Sequence, residues 1–168
     1  EIARRFNHLY GAVFPEPKSQ LTQVARLPGT DGRKMSKSYG NQVPLSGDPE
    51  SASKKIMTMV TDPARKRRSD PGDPKKCPIF DYHKVFTNSE VQKWVREGCT
   101  TAGIGCTDCK QRLLENMLPV IQPLHEKRKE LEQTPDSVKE ILVAGSAEAR
   151  EIARETMGEV RQAMKIDF

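Results

Sequence analysis

The chain has 168 residues, of which 30% are charged and 35% are hydrophobic. No stretch approaches the roughly 20 apolar residues that a membrane-spanning helix needs, and the first residues do not resemble a secretory signal peptide. We therefore expect a cytoplasmic protein that does not interact with a membrane. The formal net charge is +5. Many of the Lys and Arg residues lie between residues 54 and 76, which favours binding to a polyanion, although a solvated surface loop would have the same composition.

The first predicted element is a helix over residues 1–11, because Ile2, Phe6 and Leu9 fall on one face and Gly11 suits a left-handed helix end. A sequence that opens inside a periodic helix without a capping residue is typical of a fragment of a longer protein. Residues 12–47 are rich in Pro and Gly, and we expect mostly loop there with a short strand over residues 22–27.

The middle of the chain has clear helix starts. Asp48 followed by Pro49 predicts an N-cap and a first helical position. Residues 61–78, which we name the basic connector, have the Pro and Gly content of a loop. The pattern Thr87-x-x-Glu90 predicts a capping box that opens another helix. The residues predicted to face the core from these helices are Ala52, Ile56, Met59 or Val60, Val91, Trp94 and Val95.

From about Thr107 the pattern is helical nearly to the end, with breaks at Thr134-Pro135 and around residues 144–146. We expect the last helix to bury Ala149, Ile152, Ala153, Met157, Val160 and Met164. The predicted fold is therefore mainly α. Residues 48–168 would form a helical domain, and residues 1–47 would be the loop-rich remnant of a larger domain.

Residues 31–41 read Asp-Gly-Arg-Lys-Met-Ser-Lys-Ser-Tyr-Gly-Asn and are the most informative stretch. Lys34 and Lys37 are three residues apart, with hydroxyl side chains beside them and glycines on either side. Such a loop can close over a triphosphate and bring two ammonium groups to the charge that develops during phosphoryl chemistry. Composition alone would also fit an ordinary surface loop.

The string Lys-Met-Ser-Lys-Ser that begins at Lys34 matches, letter for letter, the second signature of the class I aminoacyl-tRNA synthetases. The resemblance implies that Lys34 and Lys37 stabilise the transition state in which an amino acid is activated by ATP with Mg²⁺. It also implies that Ser36 and Ser38, with nearby backbone N–H groups, hold the phosphates, and that Met35 packs and positions the loop.

The same family has a first signature, similar to His-Ile-Gly-His, which does not occur in this sequence. His8, His83 and His125 are isolated, and we interpret all three as surface or helix-packing residues. The resemblance therefore implies that the other half of the active site, with the amino acid pocket, lies upstream of Glu1. This chain by itself is expected to be inactive.

The four cysteines, Cys77, Cys99, Cys106 and Cys109, lie within one window of the sequence. Clustered cysteines in a cytoplasmic chain favour a metal or redox site over disulfides, although buried free thiols or an oxidation-induced disulfide would also fit. Zinc sites more often pair two close Cys-x-x-Cys motifs, and only one is present here. The irregular spacing suits a 4Fe–4S cluster at least as well, and Zn²⁺ remains the alternative.

The residues that flank these motifs resemble those of bacterial tryptophanyl-tRNA synthetases over essentially the whole chain. Some members of that family carry an iron–sulfur cluster on nearly this cysteine pattern. The resemblance implies that residues 1–47 are the end of a Rossmann-like catalytic domain. It also implies that residues 48–168 bind the anticodon region of tRNA(Trp), with residues 65–76 and the window that contains the four cysteines facing the RNA. Trp94 and Phe86 are expected in the core.

The resemblance further implies a parent enzyme that joins tryptophan to its tRNA with ATP, as a homodimer. The alternative function is a non-catalytic, metal-bearing RNA-binding module that keeps the Lys-Met-Ser-Lys-Ser loop as a relic.

Overall fold

The computed structural model of the chain describes residues 1–22 and 24–166, and in this part of the chain it is mainly helical. The α-helices are α1 Ile2–Tyr10, α2 Pro49–Thr58, α3 Pro78–Phe86, α4 Ser89–Thr100, α5 Cys106–Glu132 and α6 Pro135–Met164. A short 3₁₀ helix covers Lys37–Tyr39. The described residues contain no β-strand, and their one β-type pairing is an isolated antiparallel bridge between Pro28 and Lys34. The mainly α fold class is confirmed.

The chain divides into two compact units. One unit combines Glu1–Gln20 with Leu131–Phe168, and the other is Leu21–Glu130. The second unit contains the Lys-Met-Ser-Lys-Ser loop together with all four cysteines. The predicted division at residue 48 into the end of a catalytic domain and an anticodon-binding domain stays a prediction.

The hydrophobic core of the unit Leu21–Glu130 is built mainly from α2, α3 and α5. Its fully buried members include Ile56 of α2, Tyr82 of α3 and Leu113 of α5. Helix α2 begins as predicted, because the Asp48 carboxylate accepts a hydrogen bond from the Ser51 amide at 2.9 Å. The core also decides a choice that the sequence left open, since Met59 is buried and Val60 is 43% exposed.

Two features of the middle helices differ from the prediction. Helix α3 was not predicted, although Pro78 at its first turn is a typical start signal. Helix α4 is capped by Asn88, whose side chain accepts from the Val91 amide at 2.9 Å, so the predicted capping box at Thr87 is wrong by one residue. Trp94 of α4 is 40% exposed rather than in the core.

The unit that contains α1 and α6 also corrects several expectations. Gly11 ends α1 with a positive φ of 98°, but its ψ of 167° is not the left-handed helical conformation. Helix α6 runs without a break through residues 144–146, because one glycine costs a helix only about 1 kcal/mol. Of the residues that we expected α6 to bury, Val160 is buried, Met164 is half-buried, and the other four are exposed.

Residues 22 and 24–27 are not in a strand, and Gln23, which the predicted strand includes, lies outside the described residues. No described helix has an apolar stretch of the length and low charge that would let it cross a membrane.

Candidate functional site

Residues 28–41, which we name the lysine loop, are attached to the helical core by hydrogen bonds to their backbone. The Tyr82 hydroxyl of α3 donates to the Pro28 carbonyl at 2.8 Å, and the Val60 amide after α2 donates to the Thr30 carbonyl at 2.9 Å. Burial raises the pKa of Tyr82 to about 12, so its hydroxyl stays protonated and remains a donor. The start of the loop is therefore held by two helices.

The middle and the far end of the loop are attached as well. Met35 packs against the hydrophobic core. Just beyond the loop, the Lys55 ammonium of α2 donates to the Gln42 carbonyl at 2.6 Å, and Val43 is a buried core residue. Both ends of the lysine loop are therefore fixed to the helical core.

The ammonium groups of Lys34 and Lys37 are exposed, and neither has an acidic partner among residues 1–22 and 24–166. The nearest arginine in the sequence, Arg33, is instead paired with Asp31 at 2.7 Å, and its guanidinium lies over the ring of Tyr39 at 4.6 Å. The two lysines are therefore free to meet an anionic ligand, while the cation beside them is neutralised within the loop.

The two serines of the motif bond to each other, with their hydroxyl oxygens 2.8 Å apart. The Ser36 amide donates to the Asn41 side chain at 2.8 Å. This amide is therefore engaged within the loop, whereas the sequence suggested that backbone N–H groups here would hold phosphates. Ser38 is exposed, and Gly40, with a φ of 63°, ends the 3₁₀ helix in the left-handed conformation that glycine allows.

Asn41 joins the two sides of the lysine loop and is only 3% exposed. Its side chain donates to Asp31 at 2.8 Å and to the Lys34 carbonyl at 3.2 Å. Its own carbonyl accepts from the Thr30 amide at 2.8 Å. The hydrogen bond from Asn41 is the main reason why the pKa of Asp31 is lowered to about 2.

The four cysteines lie where three helices and the basic connector come together. Cys77 precedes α3, Cys99 is near the end of α4, and both Cys106 and Cys109 are in the first turn of α5. All four are free and half-buried. We name these residues the cysteine cluster.

Burial is the main cause that raises the thiol pKa values in the cysteine cluster. The pKa of Cys109 is raised to about 12, first by burial and then by the charges of the other three cysteines. Burial also raises the pKa of Cys77 and Cys99. The thiols of Cys77, Cys99 and Cys109 are therefore protonated at neutral pH unless a metal displaces their protons.

Two basic side chains contact the cysteine cluster. The Arg65 guanidinium lies 3.9 Å from the sulfur of Cys99, and the His83 ring nitrogen lies 3.3 Å from the sulfur of Cys109. His83 is fully buried, which lowers its pKa to about 4 and leaves the ring neutral. The interpretation of His83 as an ordinary packing residue therefore misses its contact with a predicted metal ligand.

In the described part of the chain, no group of three or more His, Cys, Asp or Glu side chains is arranged to hold a metal ion. The chemistry of four partly buried thiols from converging helices fits a metal, but the sulfur atoms do not form a ready ligand set. The iron–sulfur cluster is thus unsupported by the geometry and stays a prediction.

A shallow basic cavity of about 300 Å³ adjoins the cysteine cluster. It is lined by Arg65, Lys66, Arg67, Arg68, Gly105, Cys106, Thr107 and Asp108. Asp108 accepts from the Gly105 amide at 2.8 Å and lies 3.9 Å from the Arg68 guanidinium, so part of the positive charge is balanced. The basic connector and the start of α5 therefore line the same cavity.

Trp94 and Phe86 differ in their surroundings, although the sequence predicted that both would lie in the core. Phe86 packs against the core, and its ring lies 6.4 Å from that of Tyr82. Trp94 is partly open to solvent, with the Arg112 guanidinium 5.5 Å from the centre of its ring.

The sequence did not predict that Asn41 bonds to the backbone of the Lys-Met-Ser-Lys-Ser residues, or that Arg65 and His83 contact the cysteine cluster. Asn41 is the last residue of the stretch 31–41, and asparagine commonly bonds to nearby backbone groups in turns. For Arg65 and His83 the sequence gives no such signal, because their contacts join residues 34 and 26 positions apart.

Comparison with known proteins gives consistent matches. The family model described as tRNA synthetases class I (W and Y) matches residues 1–121. The chain is 53% identical to a tryptophan–tRNA ligase of Thermotoga maritima over all of its own length and 52% of that protein's length. It is 50% identical to a tryptophan–tRNA ligase of Aquifex aeolicus, covering 99% of the chain and 42% of that protein.

Among solved structures, the chain is similar to a tryptophanyl-tRNA synthetase from Campylobacter jejuni complexed with ADP and tryptophan. The TM-score is 0.72 at 33% sequence identity, and the match covers 98% of this chain and 51% of that one. The chain therefore spans about half the length of the relatives it matches.

Proposed function

Because this chain belongs to the class I tRNA synthetases of the tryptophan and tyrosine type, we propose that it is part of a tryptophan–tRNA ligase. The observation that carries the proposal is the Lys-Met-Ser-Lys-Ser loop, on which Lys34 and Lys37 are exposed and have no acidic partner in the described chain. Support for tryptophan comes from the relatives, which are named tryptophan–tRNA ligases at up to 53% identity over the whole chain.

In the proposed reaction, a carboxylate oxygen of tryptophan attacks the α-phosphorus of ATP, and the bond from that phosphorus to pyrophosphate breaks. Lys34 and Lys37 stabilise the negative charge that increases on the departing pyrophosphate. The exposed Ser38 hydroxyl binds a phosphate oxygen. Mg²⁺ accompanies ATP and neutralises phosphate charge, and we assign no residue of this chain to it. A terminal ribose hydroxyl of tRNA(Trp) then attacks the carbonyl carbon of tryptophanyl-adenylate, and the bond from that carbon to the phosphate breaks with release of AMP.

The complete reaction is assigned to a longer protein. The His-Ile-Gly-His-like signature is absent from these 168 residues, and the relatives are about twice as long as this chain. We propose that residues 1–47 are the end of the Rossmann-like catalytic domain and that the chain is inactive alone. The homodimer expected for the parent enzyme is proposed on family resemblance.

The decisive experiment is tryptophan-dependent exchange of pyrophosphate with ATP in the full-length protein that carries this chain. Lys37→Ala is expected to lower kcat about 10²–10³-fold, by analogy with the loss of one preorganised oxyanion donor. Lys127→Ala is a matched control, since this lysine is exposed on α5 and paired with a glutamate outside the lysine loop. A full-length protein without exchange activity would favour the relic RNA-binding module, and wild-type rates in Lys37→Ala would remove the catalytic role of the loop.

We further propose that residues 48–168 bind the anticodon region of tRNA(Trp) through the basic connector and the cysteine cluster. Support comes from the basic cavity beside Cys106 and from the partly exposed side chain of Trp94, because single-stranded RNA loops are bound by cations and by stacking on aromatic rings. Replacing Lys66 and Arg67 together by Ala should weaken tRNA(Trp) binding and reduce the slope of log K against log salt by about 1.5. An unchanged slope would exclude the connector from the interface.

The cysteine cluster is proposed to hold a 4Fe–4S cluster, with Zn²⁺ as the alternative. Support comes from four half-buried thiols on converging helices and from the family resemblance. When bound, such a metal centre would join the basic connector to the starts of α3 and α5 and the end of α4. Anaerobic purification should give a brown protein with iron and acid-labile sulfide, and a Cys106→Ser variant should lack both. Stoichiometric zinc in a colourless protein would select the alternative.

A further inference from the structure

The carboxamide of Asn41 makes the hydrogen bonds that a neighbouring parallel strand would make to the lysine loop. Its oxygen accepts from the Ser36 amide at 2.8 Å, and its nitrogen donates to the Lys34 carbonyl at 3.2 Å. These two backbone groups lie on either side of Met35. One side chain therefore fixes the direction of the backbone between the two lysines.

The position of this carboxamide is itself tightly determined. Asn41 is 3% exposed, and its nitrogen also donates to the Asp31 carboxylate at 2.8 Å. It also lies against Gly29, because a Cβ atom added to that glycine would lie 2.2 Å from the Asn41 side-chain nitrogen. Its backbone carbonyl is bonded to the Thr30 amide. The side chain cannot change its rotamer without losing its bonds to Ser36, Lys34 and Asp31.

Asn41 differs in this respect from the groups that would touch a nucleotide. Lys34, Lys37 and Ser38 are exposed at the surface of the loop, whereas Asn41 lies beneath them and is closed to a ligand. Two ammonium groups on flexible side chains stabilise a developing charge well only when their backbone is already in place. A rigid support under a solvent-facing backbone provides that condition.

We propose that Asn41 is a positioning residue that sets the spacing of Lys34 and Lys37 for the activation step. The inference rests on the proposed function and deepens it. Asn41 binds no substrate, and its effect on catalysis passes through the two lysines. Its loss should therefore lower kcat for pyrophosphate exchange while leaving the affinity for tryptophan unchanged, because the tryptophan pocket is assigned to the other half of the enzyme.

The test uses the full-length protein that carries this chain, with two variants of the residue. Asn41→Ala removes all three side-chain hydrogen bonds. Asn41→Asp keeps the size and the acceptor for the Ser36 amide, but it cannot donate to the Lys34 carbonyl and places a second carboxylate beside Asp31. Both should lower kcat about 10–10²-fold, the scale expected for reactive groups displaced by an ångström or less. The KM for tryptophan should stay within about twofold.

A matched control is Asn7→Ala. Asn7 also bonds to the backbone through both atoms of its carboxamide, accepting from Val13 and Phe14 and donating to the Phe14 carbonyl, but it lies within α1 and holds the segment that follows this helix. A general loss of stability would affect both variants, whereas a positioning role affects only Asn41. A thermal unfolding midpoint well above the assay temperature in both Asn41 variants would show that a loss of rate does not come from unfolding.

The double variant with Lys37→Ala separates positioning from an indirect structural effect. If Asn41 acts through the lysines, Asn41→Ala should cost less than about threefold in kcat once Lys37 is absent, which is strong non-additivity. Full additivity, a wild-type kcat in both Asn41 variants, or an equal fall in activity in Asn7→Ala would overturn the inference. In each of these cases a slow Lys37→Ala single variant would still support the proposed function, whereas wild-type exchange in that variant would refute the function itself.

Discussion

Replacing Gly29 by alanine should loosen the lysine loop through steric contact alone. The φ angle of Gly29 is not positive, so its backbone conformation is open to other residues. The added Cβ, however, would lie 2.2 Å from the side-chain nitrogen of Asn41 and 2.4 Å from its Cγ. Contacts below 3.0 Å essentially never occur, and therefore one of the two groups must move.

The cost of that movement can be estimated from the bonds that Asn41 makes. Ordinary contact begins at 3.4 Å, so the carboxamide must shift by about 1.2 Å. A shift of that size lengthens or breaks its side-chain bonds to Ser36, Lys34 and Asp31. At about 0.5–1.5 kcal/mol for each bond, with the charged acceptor at the upper end, the loop should lose about 2–4 kcal/mol.

The assay is hydrogen exchange at the Ser36 amide, because the oxygen of Asn41 is its acceptor. In Gly29→Ala this amide should exchange roughly 30-fold to 900-fold faster, the equivalent of the estimated loss. Gly145→Ala is the control: no atom lies within 4 Å of its added Cβ, so it should stabilise α6 by up to about 1 kcal/mol and leave the Ser36 amide unchanged. Exchange within threefold of wild type in Gly29→Ala would refute this account of the loop.

Three further predictions concern the rest of the unit. Lys110 is 8% exposed, and its ammonium group donates to two carbonyls at the end of α2. Lys110→Met should therefore lower the free energy of unfolding by about 2–4 kcal/mol. Urea denaturation measures this change, and an unchanged midpoint would contradict the prediction. The Asp31 carboxyl should titrate near pH 2 by NMR, and Asn41→Ala should move that midpoint towards 3.8. Because the pKa is depressed, the stabilisation that the Asp31 carboxylate gives the loop is present above about pH 3.8 and is lost as the pH falls through about 2. Leu113 is fully buried, so Leu113→Ala should lower the free energy of unfolding by about 3–5 kcal/mol. Leu142 is exposed, so Leu142→Ala should lower it by less than about 0.5 kcal/mol. Equal losses in the two variants would refute the assigned core.

Features that depend on local chemistry could be predicted from the amino-acid sequence. Asp48 and Pro49 predicted the start of α2 because a carboxylate beside free amides and a fixed φ act within one turn. The Lys-Met-Ser-Lys-Ser string predicted the family by an uninterrupted match of five residues. Local signals failed where they were weak, as at Gly145, which did not break α6.

Contacts between groups that are distant in the sequence could not be predicted in this way. Tyr82 holds Pro28 across 54 residues and Lys110 holds the end of α2 across more than 50, and such contacts follow from the packing of helices rather than from any local pattern. The same packing left Trp94 at the surface and buried His83 against Cys109. A sequence pattern shows which side of a helix is apolar, but it does not show how much of that side a neighbour will cover.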